Sequence, residues 1–377
     1  MKKIAVIFSI FLLSASVIFA GEFKPELHTI PSVRQQGFGG FYTSDIDNFY
    51  GMYANPAALG KRRVHSLFPG LNVQVGGPLK DSVNIVNAFS TMDSSAIADI
   101  INRNNGLNLN LNVEPLLSFG HISGFGFGWG FTTQAFVNAT VPGIALADMN
   151  AGVEAVLTLG FAFPIINSDN LLLSVGATAK GFVQGATGYT GSLTDLMNTL
   201  TADPSSMPLY ISTGFSFDAG VFLSICNTID VSATYYDPFS MVFVSNGTIG
   251  SPSFEFDFAN VKQLDPRLAV GVAYHIPVAW TNSVITSFKV MADYRNFYTL
   301  FGDGHRNPWL ELSCGTELVL ANIVSFRFGM SEMLPAAGIG LKFGTFNIDM
   351  SMYGKELGLE PGSAPCLNAA VFIGFTY

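Results

Sequence analysis

The chain is 377 residues long; only 12% of its residues are charged, while 13% are aromatic, including 34 phenylalanines. A soluble domain carries about 25% charged residues, so this chain has too few to coat a surface that faces water. The formal net charge of -9 argues against nucleic-acid binding, which requires a basic face. After residue 20, Gly, Pro or a charged residue interrupts every run of about eighteen residues, which excludes membrane-spanning helices.

The first twenty residues have the pattern of a secretory signal peptide. Lys2 and Lys3 precede an apolar run over residues 4–19, and Ala20 ends it before a polar stretch. The run is short for a bilayer span, which needs about 20 residues. We therefore predict a cleaved signal peptide over residues 1–20, export from the cytoplasm, and a mature chain with a net charge of -11.

The next segment, residues 21–60, has the pattern of neither a strand nor a lipid-facing surface. It ends in GFGGFYTSDIDNFYGMYANPAALG over residues 37–60. Asn55, Pro56 and Ala57 form an Asn-Pro-Ala motif, preceded by an acidic and aromatic stretch that includes Asp45, Asp47, Asn48 and Tyr53. This segment resembles the N-terminal plug of the FadL-type outer-membrane transporters of hydrophobic compounds, a family that includes PorV-like barrels. Ala58 departs from that pattern, in which Gly is frequent.

The resemblance implies a barrel that is closed by a small N-terminal plug, or hatch, over residues 21–60. It implies uptake of hydrophobic compounds such as long-chain fatty acids, which are received by outer loops and released through the barrel wall or lumen. Asn55 and Pro56 would have a structural role in the plug, since an Asn side chain can bond to nearby backbone and Pro restricts the turn. They would act in gating and not in catalysis.

Residues 61–377 are predicted to form the barrel, because only helices and closed β-barrels satisfy every backbone hydrogen bond in lipid. Alternation is clearest at residues 124–131, where four glycines alternate with Phe125, Phe127, Trp129 and Phe131. Segments with strand composition number fourteen, and single-chain bacterial barrels have an even count. They lie near 64–75, 109–121, 125–140, 151–163, 171–185, 209–225, 228–237, 265–277, 285–297, 309–320, 323–331, 336–343, 345–354 and 366–377.

The predicted connections alternate between short and long, as a barrel with two unlike sides requires. The short ones are residues 122–124, 167–170, the turn around Asn227, 321–322 and Gly344. The long ones are residues 76–108, 141–150, 186–208, 238–264, 298–308 and 355–365. The sequence therefore predicts short turns in the periplasm and long loops outside the cell.

Two long loops are predicted to carry short helices, because their apolar residues recur at helical spacing. One set is Ile85, Val86, Phe89, Ile97, Ile100 and Ile101, and the other is Leu193, Leu196, Met197 and Leu200. Their apolar faces would either pack on the barrel rim or offer a surface for an apolar ligand. For the second interpretation, the candidate contacts are Phe89, Ile97, Leu193, Leu196 and Met197.

The C-terminal segment alternates apolar residues and ends on an aromatic residue. Ala369, Val371, Ile373, Phe375 and Tyr377 occupy every second position. This pattern resembles the recognition signal that the barrel-assembly machinery reads, with Phe375 and Tyr377 as its candidate residues. An ordinary last strand of a soluble sheet is the alternative interpretation.

Enzymatic and metal-binding functions find little support in the sequence. The five histidines show no metal-binding spacing; they are His28, His65, His121, His275 and His305. The Gly-x-Ser-x-Gly motif of a serine hydrolase does not occur. Three cysteines allow at most one internal disulfide, and we expect Cys226, Cys314 and Cys366 to be small apolar residues of the wall. We predict neither a cofactor, nor a metal, nor an enzyme.

Three functions remain open: transport of hydrophobic compounds, a docking or secretion partner like the PorV-like barrels, and a general diffusion porin. The plug-like segment favours the first. A porin needs a polar, often charged lumen, whereas charged residues in the predicted strands are few, with Glu154, Lys180, Lys289, Asp293, Glu317, Arg327 and Lys342 as the main candidates. The expected partners are outer-membrane lipid, the barrel-assembly machinery and a hydrophobic, fatty-acid-like ligand. We expect a monomer, because a closed barrel pairs all of its own edges.

Overall fold

The computed structural model describes Leu27 and residues 32–40, 42–91, 93–104, 106–114, 118–143, 145–278, 284–301 and 306–376. The predicted signal peptide over residues 1–20 lies outside these ranges. The strands are β1 (His65–Leu67), β2 (Leu71–Gly76), β3 (Leu107–Glu114), β4 (Phe119–Ile122), β5 (Phe127–Gly143), β6 (Leu146–Asn167), β7 (Leu171–Gly191), β8 (Pro208–Ile225), β9 (Ile229–Thr248), β10 (Arg267–His275), β11 (Ile285–Tyr294), β12 (Leu312–Leu320), β13 (Val324–Ser331), β14 (Leu334–Phe343), β15 (Phe346–Glu356) and β16 (Pro365–Phe375).

All sixteen strands belong to one antiparallel sheet, which closes on itself through the pairing of β5 with β6. β1 and β2 lie one after the other along the first wall strand, and β3 and β4 do so along the second. The wall therefore has fourteen strands. The predicted fold, a closed antiparallel β-barrel of about fourteen strands, is confirmed.

Helices are short and lie between or before the wall strands. They are α1 (Val33–Gly37), α2 (Gly51–Ala54), α3 (Ser82–Thr91), α4 (Ser94–Arg103) and α5 (Leu193–Ala202). Short 3₁₀ helices span Pro56–Lys61, Leu79–Asp81, Pro204–Ser206, Phe297–Phe301 and Pro308–Glu311. In the described ranges, none of the helices has the length and apolar character needed to cross a bilayer.

Side chains alternate along each wall strand because successive residues of a strand point to opposite faces. On β6, Leu157, Leu159, Phe161 and Phe163 are exposed on the outer face, whereas Thr158 between them is buried. The odd-numbered residues of β5–β8 face outward, and their even-numbered residues face the lumen. The outer face is thus predominantly apolar along its middle.

The predicted short turns lie at the same end of the barrel as Thr376, and we call this the short-turn end; the two-residue hairpin turn at Glu332 and Met333 lies at the opposite end. Two of the predicted short turns are tight hairpins in which both central residues have a positive φ: Cys226 with Asn227, and Ala321 with Asn322. This backbone conformation suits the right-handed twist of paired strands. The opposite end carries α3, α4 and α5, and we call it the long-loop end.

The predicted long loop over residues 141–150 is wrong. β5 continues to Gly143 and β6 begins at Leu146, and these two residues pair with each other, so only two residues separate the strands. β7 and β9 are also longer than predicted and end at Gly191 and Thr248. At the long-loop end, α4 packs against β5, and α5 packs against β6 and β7.

Candidate functional site

Residues 32–40 and 42–62 lie inside the barrel, and we call them the plug. α1 begins at a capping box in which Ser32 and Gln35 bond to each other's backbone N–H. Val33 then packs in one apolar cluster with Ala336 and Tyr353 of the wall. The 3₁₀ helix Pro56–Lys61 contacts β6, β7 and β8 on another side of the lumen. The plug therefore reaches across the lumen from one part of the wall to another.

The Asn-Pro-Ala motif joins the plug to the wall at β8. Asn55 is fully buried, and its side chain accepts a hydrogen bond from the backbone N–H of Ala57 at 2.9 Å. Its amide group donates to the backbone oxygen of Val221 at 3.0 Å. Pro56 stands at the start of the 3₁₀ helix, where a missing N–H has no cost. The structural role predicted for Asn55 and Pro56 remains a prediction, and these contacts supply its geometry.

Wall glycines make room for this motif. A Cβ atom at Gly220 would lie 2.0 Å from Asn55 Oδ1, and one at Gly176 would lie 2.6 Å from the Pro56 carbonyl carbon. Thr234 also donates a hydrogen bond to the backbone oxygen of Ala54 at 3.1 Å. The plug backbone can sit against the wall here only because the two glycines have no side chains.

A buried group of charges joins the plug to the other side of the barrel; we call Arg34, Asp45, Lys289, Glu317 and Arg327 the plug charge cluster. Arg34 bonds to Asp45 and to Glu317, each at 2.6 Å. Lys289 lies 2.5 Å from Asp45 and 3.5 Å from Glu317. Arg327 bonds to Glu317 at 2.8 Å. Carboxylates and cations alternate, so each buried charge has an opposite partner.

The electrostatics of Asp45 follow from this arrangement. Burial by itself would raise the pKa of Asp45, but Arg34 and Lys289 outweigh burial and hold the pKa below its ordinary value. Asp45 is therefore ionised at neutral pH. The sequence indicated Asp45 through the plug motif, but it did not indicate that Asp45 would share one charge cluster with Lys289, Glu317 and Arg327.

Three aromatic residues of the plug, Phe49, Tyr50 and Tyr53, pack against one another. The ring centroid of Phe49 lies 5.9 Å from that of Tyr50 and 5.8 Å from that of Tyr53. Two more wall glycines face this group: a Cβ atom at Gly120 would lie 2.3 Å from the Phe49 ring, and one at Gly130 would lie 2.2 Å from the Tyr53 hydroxyl. The glycines on the inner face of the wall thus leave room for the aromatic side chains of the plug.

A small cavity, the inner chamber, lies between these aromatics and the wall. Its volume is about 60 Å³. Leu27, Tyr50 and Tyr53 line it from the N-terminal side of the chain, and the wall contributes Glu114, Thr132, Thr133, Gln134, Glu154, Val156, Thr158 and Lys180. Apolar and polar groups are therefore mixed around it.

The charged residues of the inner chamber are already committed to neighbours. Lys180 lies 2.8 Å from Asp218 and 2.7 Å from Asp237. Glu154 accepts hydrogen bonds from Gln134 at 2.7 Å and from Gln184 at 3.0 Å. The positive charge of Lys180 is thus already balanced by two carboxylates before any ligand enters the chamber.

The wall beside the inner chamber changes register. Val113 of β3 pairs with Ala135 of β5, and Phe119 of β4 pairs with Phe131 of β5. From one pair to the other, the residue number changes by six along the second wall strand and by four along β5. Such a two-residue excess interrupts a regular ladder and bends the strand.

A second cavity, the outer groove, lies on the outer face at the same place. It has a volume of about 230 Å³, and its outward-facing lining is Leu111, Val113, Ala135, Val137, Ala151, Val153, Gly185, Thr187 and Leu209, together with Ile249. Val113, Ala151 and Thr187 are only 8%, 7% and 9% exposed although they face outward, whereas Val153 beside them is 49% exposed. The groove is thus an apolar depression in the outer wall.

A third cavity, the vestibule, lies at the short-turn end and has a volume of about 380 Å³. Plug and wall both line it, with charged groups of both signs: Arg34, Asp47, Glu317, Arg327, Lys342 and Asp349. Its aromatic lining includes Phe49 and Tyr50 of the plug.

The candidate ligand contacts in the loop helices are buried. Ile97, Leu193, Leu196 and Met197 form one apolar cluster with strand residues such as Tyr189. The side chain of Phe89 lies outside the described part. The helices therefore pack on the outer rim of the wall, and a ligand could reach these four residues only if the cluster opened.

The remaining predicted residues lie apart from these cavities or outside the described ranges. Phe375 faces outward near the end of β16, while Tyr377 is outside the described residues. The cysteines are free at Cys226, Cys314 and Cys366. His121 bonds to Ser66, and His275 to Asp230, whereas His28 and His305 are not described.

Comparison with known proteins gave matches only among solved structures, since no family model and no curated protein matches the chain. The toluene transporter TodX of Pseudomonas putida is 10% identical, with 94% of this chain and 98% of that chain covered and a TM-score of 0.45. The CymD monoaromatic hydrocarbon channel is 13% identical, with 91% and 96% covered and a TM-score of 0.44. A FadL homologue of Pseudomonas aeruginosa is 10% identical, with 92% and 98% covered and a TM-score of 0.42.

Proposed function

We propose that this chain spans a bacterial outer membrane and carries small hydrophobic compounds inward from the cell surface. The apolar outer face supports membrane insertion, because soluble monomers rarely expose contiguous apolar patches larger than a few hundred Å². Closure of the sheet supports it too, since every wall strand has a neighbour on both sides. The short-turn end would face the periplasm, as in other bacterial barrels.

The position of the inner chamber and the outer groove carries the proposal. Glu114 and Gln134 line the chamber, while the next residues along the same strands, Val113 and Ala135, line the groove. The two cavities thus lie on opposite faces of the wall, beside the change of register. A compound in the chamber would have only the thickness of the wall between it and the apolar groove.

The size of the chamber indicates a closed state. One water molecule needs about 10–15 Å³ of such volume, so a chamber of about 60 Å³ holds only a few waters. Cargo would have to displace neighbouring side chains, and Tyr50 and Tyr53 are the large ones on the plug side. The transport cycle would therefore include a shift of the plug aromatics.

The charges of the chamber favour neutral cargo over fatty-acid anions. Glu114 and Glu154 both line the cavity. Lys180, the cation among the described lining residues, is held by Asp218 and Asp237. An anionic head group would thus lie beside two carboxyl groups without gaining a cation. Neutral apolar compounds avoid that cost.

A general diffusion porin fits this lumen poorly. The plug contacts the wall through the Asn-Pro-Ala motif near β8 and through Arg34 and Asp45 near β11 and β12. Its residues Phe49 and Tyr53 also lie against Gly120 and Gly130 of the wall. A water-filled pore would require the plug to leave.

The experiment blocks the chamber by Val156→Trp and uses Leu157→Trp as its matched control. The two residues are adjacent on β6, but Val156 lines the chamber and Leu157 is exposed on the outer face. The measurement is the uptake rate of radiolabelled naphthalene and of laurate by cells that hold equal amounts of folded barrel. We expect Val156→Trp to slow naphthalene uptake roughly tenfold, which corresponds to about 1.4 kcal/mol, and Leu157→Trp to leave it unchanged.

Two results would contradict the proposal. Normal naphthalene uptake through Val156→Trp would show that the chamber does not lie on the route. Faster uptake of laurate than of naphthalene, blocked by the same variant, would keep the route but overturn the preference for neutral cargo.

A further inference from the structure

Among the residues that the structure describes, the inner chamber and the vestibule have one lining residue in common, Tyr50. The chamber lies beside the wall at Glu114, and the vestibule opens at the short-turn end beside Asp349. A side chain that lines two cavities stands between them.

The surroundings of the Tyr50 hydroxyl agree with this position. Burial raises the pKa of Tyr50 well above its ordinary value, and the charges of Glu114 and Asp349 raise it further. Glu114 belongs to the chamber lining and Asp349 to the vestibule lining, so both cavities contribute to the field at this hydroxyl. The side chain stays neutral at physiological pH, so it is not a pH-sensitive element.

The backbone and the neighbouring rings hold Tyr50 in place. Tyr50 directly precedes α2 and has a helical backbone conformation, with a φ of -68° and a ψ of -12°. Its ring meets Phe49 edge to face at a centroid distance of 5.9 Å and lies 6.4 Å from the ring of Tyr53. Such aromatic pairs contribute about 0.5–1.5 kcal/mol each beyond burial.

We propose that the Tyr50 ring is the partition that closes the inner chamber against the vestibule. With the ring in place, the chamber is shut toward the short-turn end and its contents face the outer wall. Without it, chamber and vestibule become one space, and the route toward the short-turn end opens. The consequence for cargo rests on the proposed function, but the partition itself does not.

The test measures the reaction of a cysteine in the chamber with a small cationic methanethiosulfonate reagent. The full-length barrel carries Val156→Cys in a background where the three native cysteines are replaced by alanine. Ser325→Cys, which lines the vestibule, is the positive control. Each reporter is combined with Tyr50, Tyr50→Phe and Tyr50→Ala.

We expect Val156→Cys to react at least ten times faster with Tyr50→Ala than with Tyr50, which corresponds to about 1.4 kcal/mol. Tyr50→Phe should leave the rate unchanged, because the ring is retained and only the hydroxyl is lost. Ser325→Cys should react rapidly in all three proteins. Equal rates at Val156→Cys with and without the ring, or rapid reaction with Tyr50 intact, would overturn the proposal.

A second variant separates partitioning from loss of the docked plug. If trypsin cleavage after Arg34 shows that Tyr50→Ala releases the plug, Tyr50→Leu replaces it, since leucine keeps apolar packing but not the ring. Faster labelling with a protected plug supports the partition, and unchanged labelling contradicts it. Because labelling needs no cargo, its outcome is independent of naphthalene uptake, and either proposal can fail alone.

Discussion

Replacing Asp45 by asparagine tests whether the plug charge cluster holds the plug in the lumen. The Asp45 carboxylate is fully buried and accepts hydrogen bonds from Arg34 at 2.6 and 3.2 Å and from Lys289 at 2.5 Å. Asparagine has nearly the same shape but no charge. After the change, Arg34 and Lys289 keep Glu317 as a shared carboxylate partner, at 2.6 and 3.5 Å.

The expected cost comes from the charges that the change leaves behind. Removing one partner of a buried ion pair costs about 3–5 kcal/mol, because the remaining charge is still buried. Glu317 continues to compensate both cations, so we expect the lower end of this range, about 3 kcal/mol. Since about 1.4 kcal/mol changes a population tenfold, the undocked plug should become roughly 100 times more populated.

Trypsin cleavage after Arg34, followed by mass spectrometry on the purified full-length barrel, measures this population. Cleavage follows the population of the open form when opening and closing are fast. Asp47→Asn is the comparison variant, because Asp47 is 28% exposed, pairs with Arg63 at 2.8 Å and with Lys61 at 3.2 Å, and reaches Lys289 only at 4.0 Å. Its removal should therefore raise cleavage less than Asp45→Asn does. A cleavage rate for Asp45→Asn within about threefold of the wild type would refute the reasoning.

Two further predictions use the same plug. Because the pKa of Asp45 in the docked plug is below its ordinary value, its contribution to docking is complete above about pH 4 and is lost as the pH falls further. Pepsin cleavage of the plug, measured from about pH 5 to 2, should rise more steeply in the wild type than in Asp45→Asn; parallel profiles would contradict this. Gly220→Ala places a Cβ atom 2.0 Å from Asn55 Oδ1 and should raise cleavage after Arg34 at least tenfold, about 1.4 kcal/mol. Gly181→Ala, whose Cβ would have no neighbour within 4 Å, is the matched control. Equal effects of the two changes would contradict a role of the Asn55 contact with β8 in holding the plug.

The sequence by itself determined the barrel and the positions of its wall strands. Alternation has a period of two residues, so a few neighbouring positions such as Leu157 and Leu159 show which face of β6 is apolar. Local turn chemistry likewise marked the hairpins at Asn227 and Asn322. Strand lengths at the long-loop end were not predicted, because pairing such as that of Gly143 with Leu146 depends on the tertiary context of a strand as well as on its local composition.

Only the tertiary structure decided which residues of the plug and the wall would meet. Asp45 and Lys289 are 244 residues apart, and no local pattern relates them. The same is true of Tyr50, whose motif gave no sign that it would line two cavities. The physical reason is that the direction of a side chain depends on its own strand, whereas its partners depend on closure and register, which every strand of the barrel sets together.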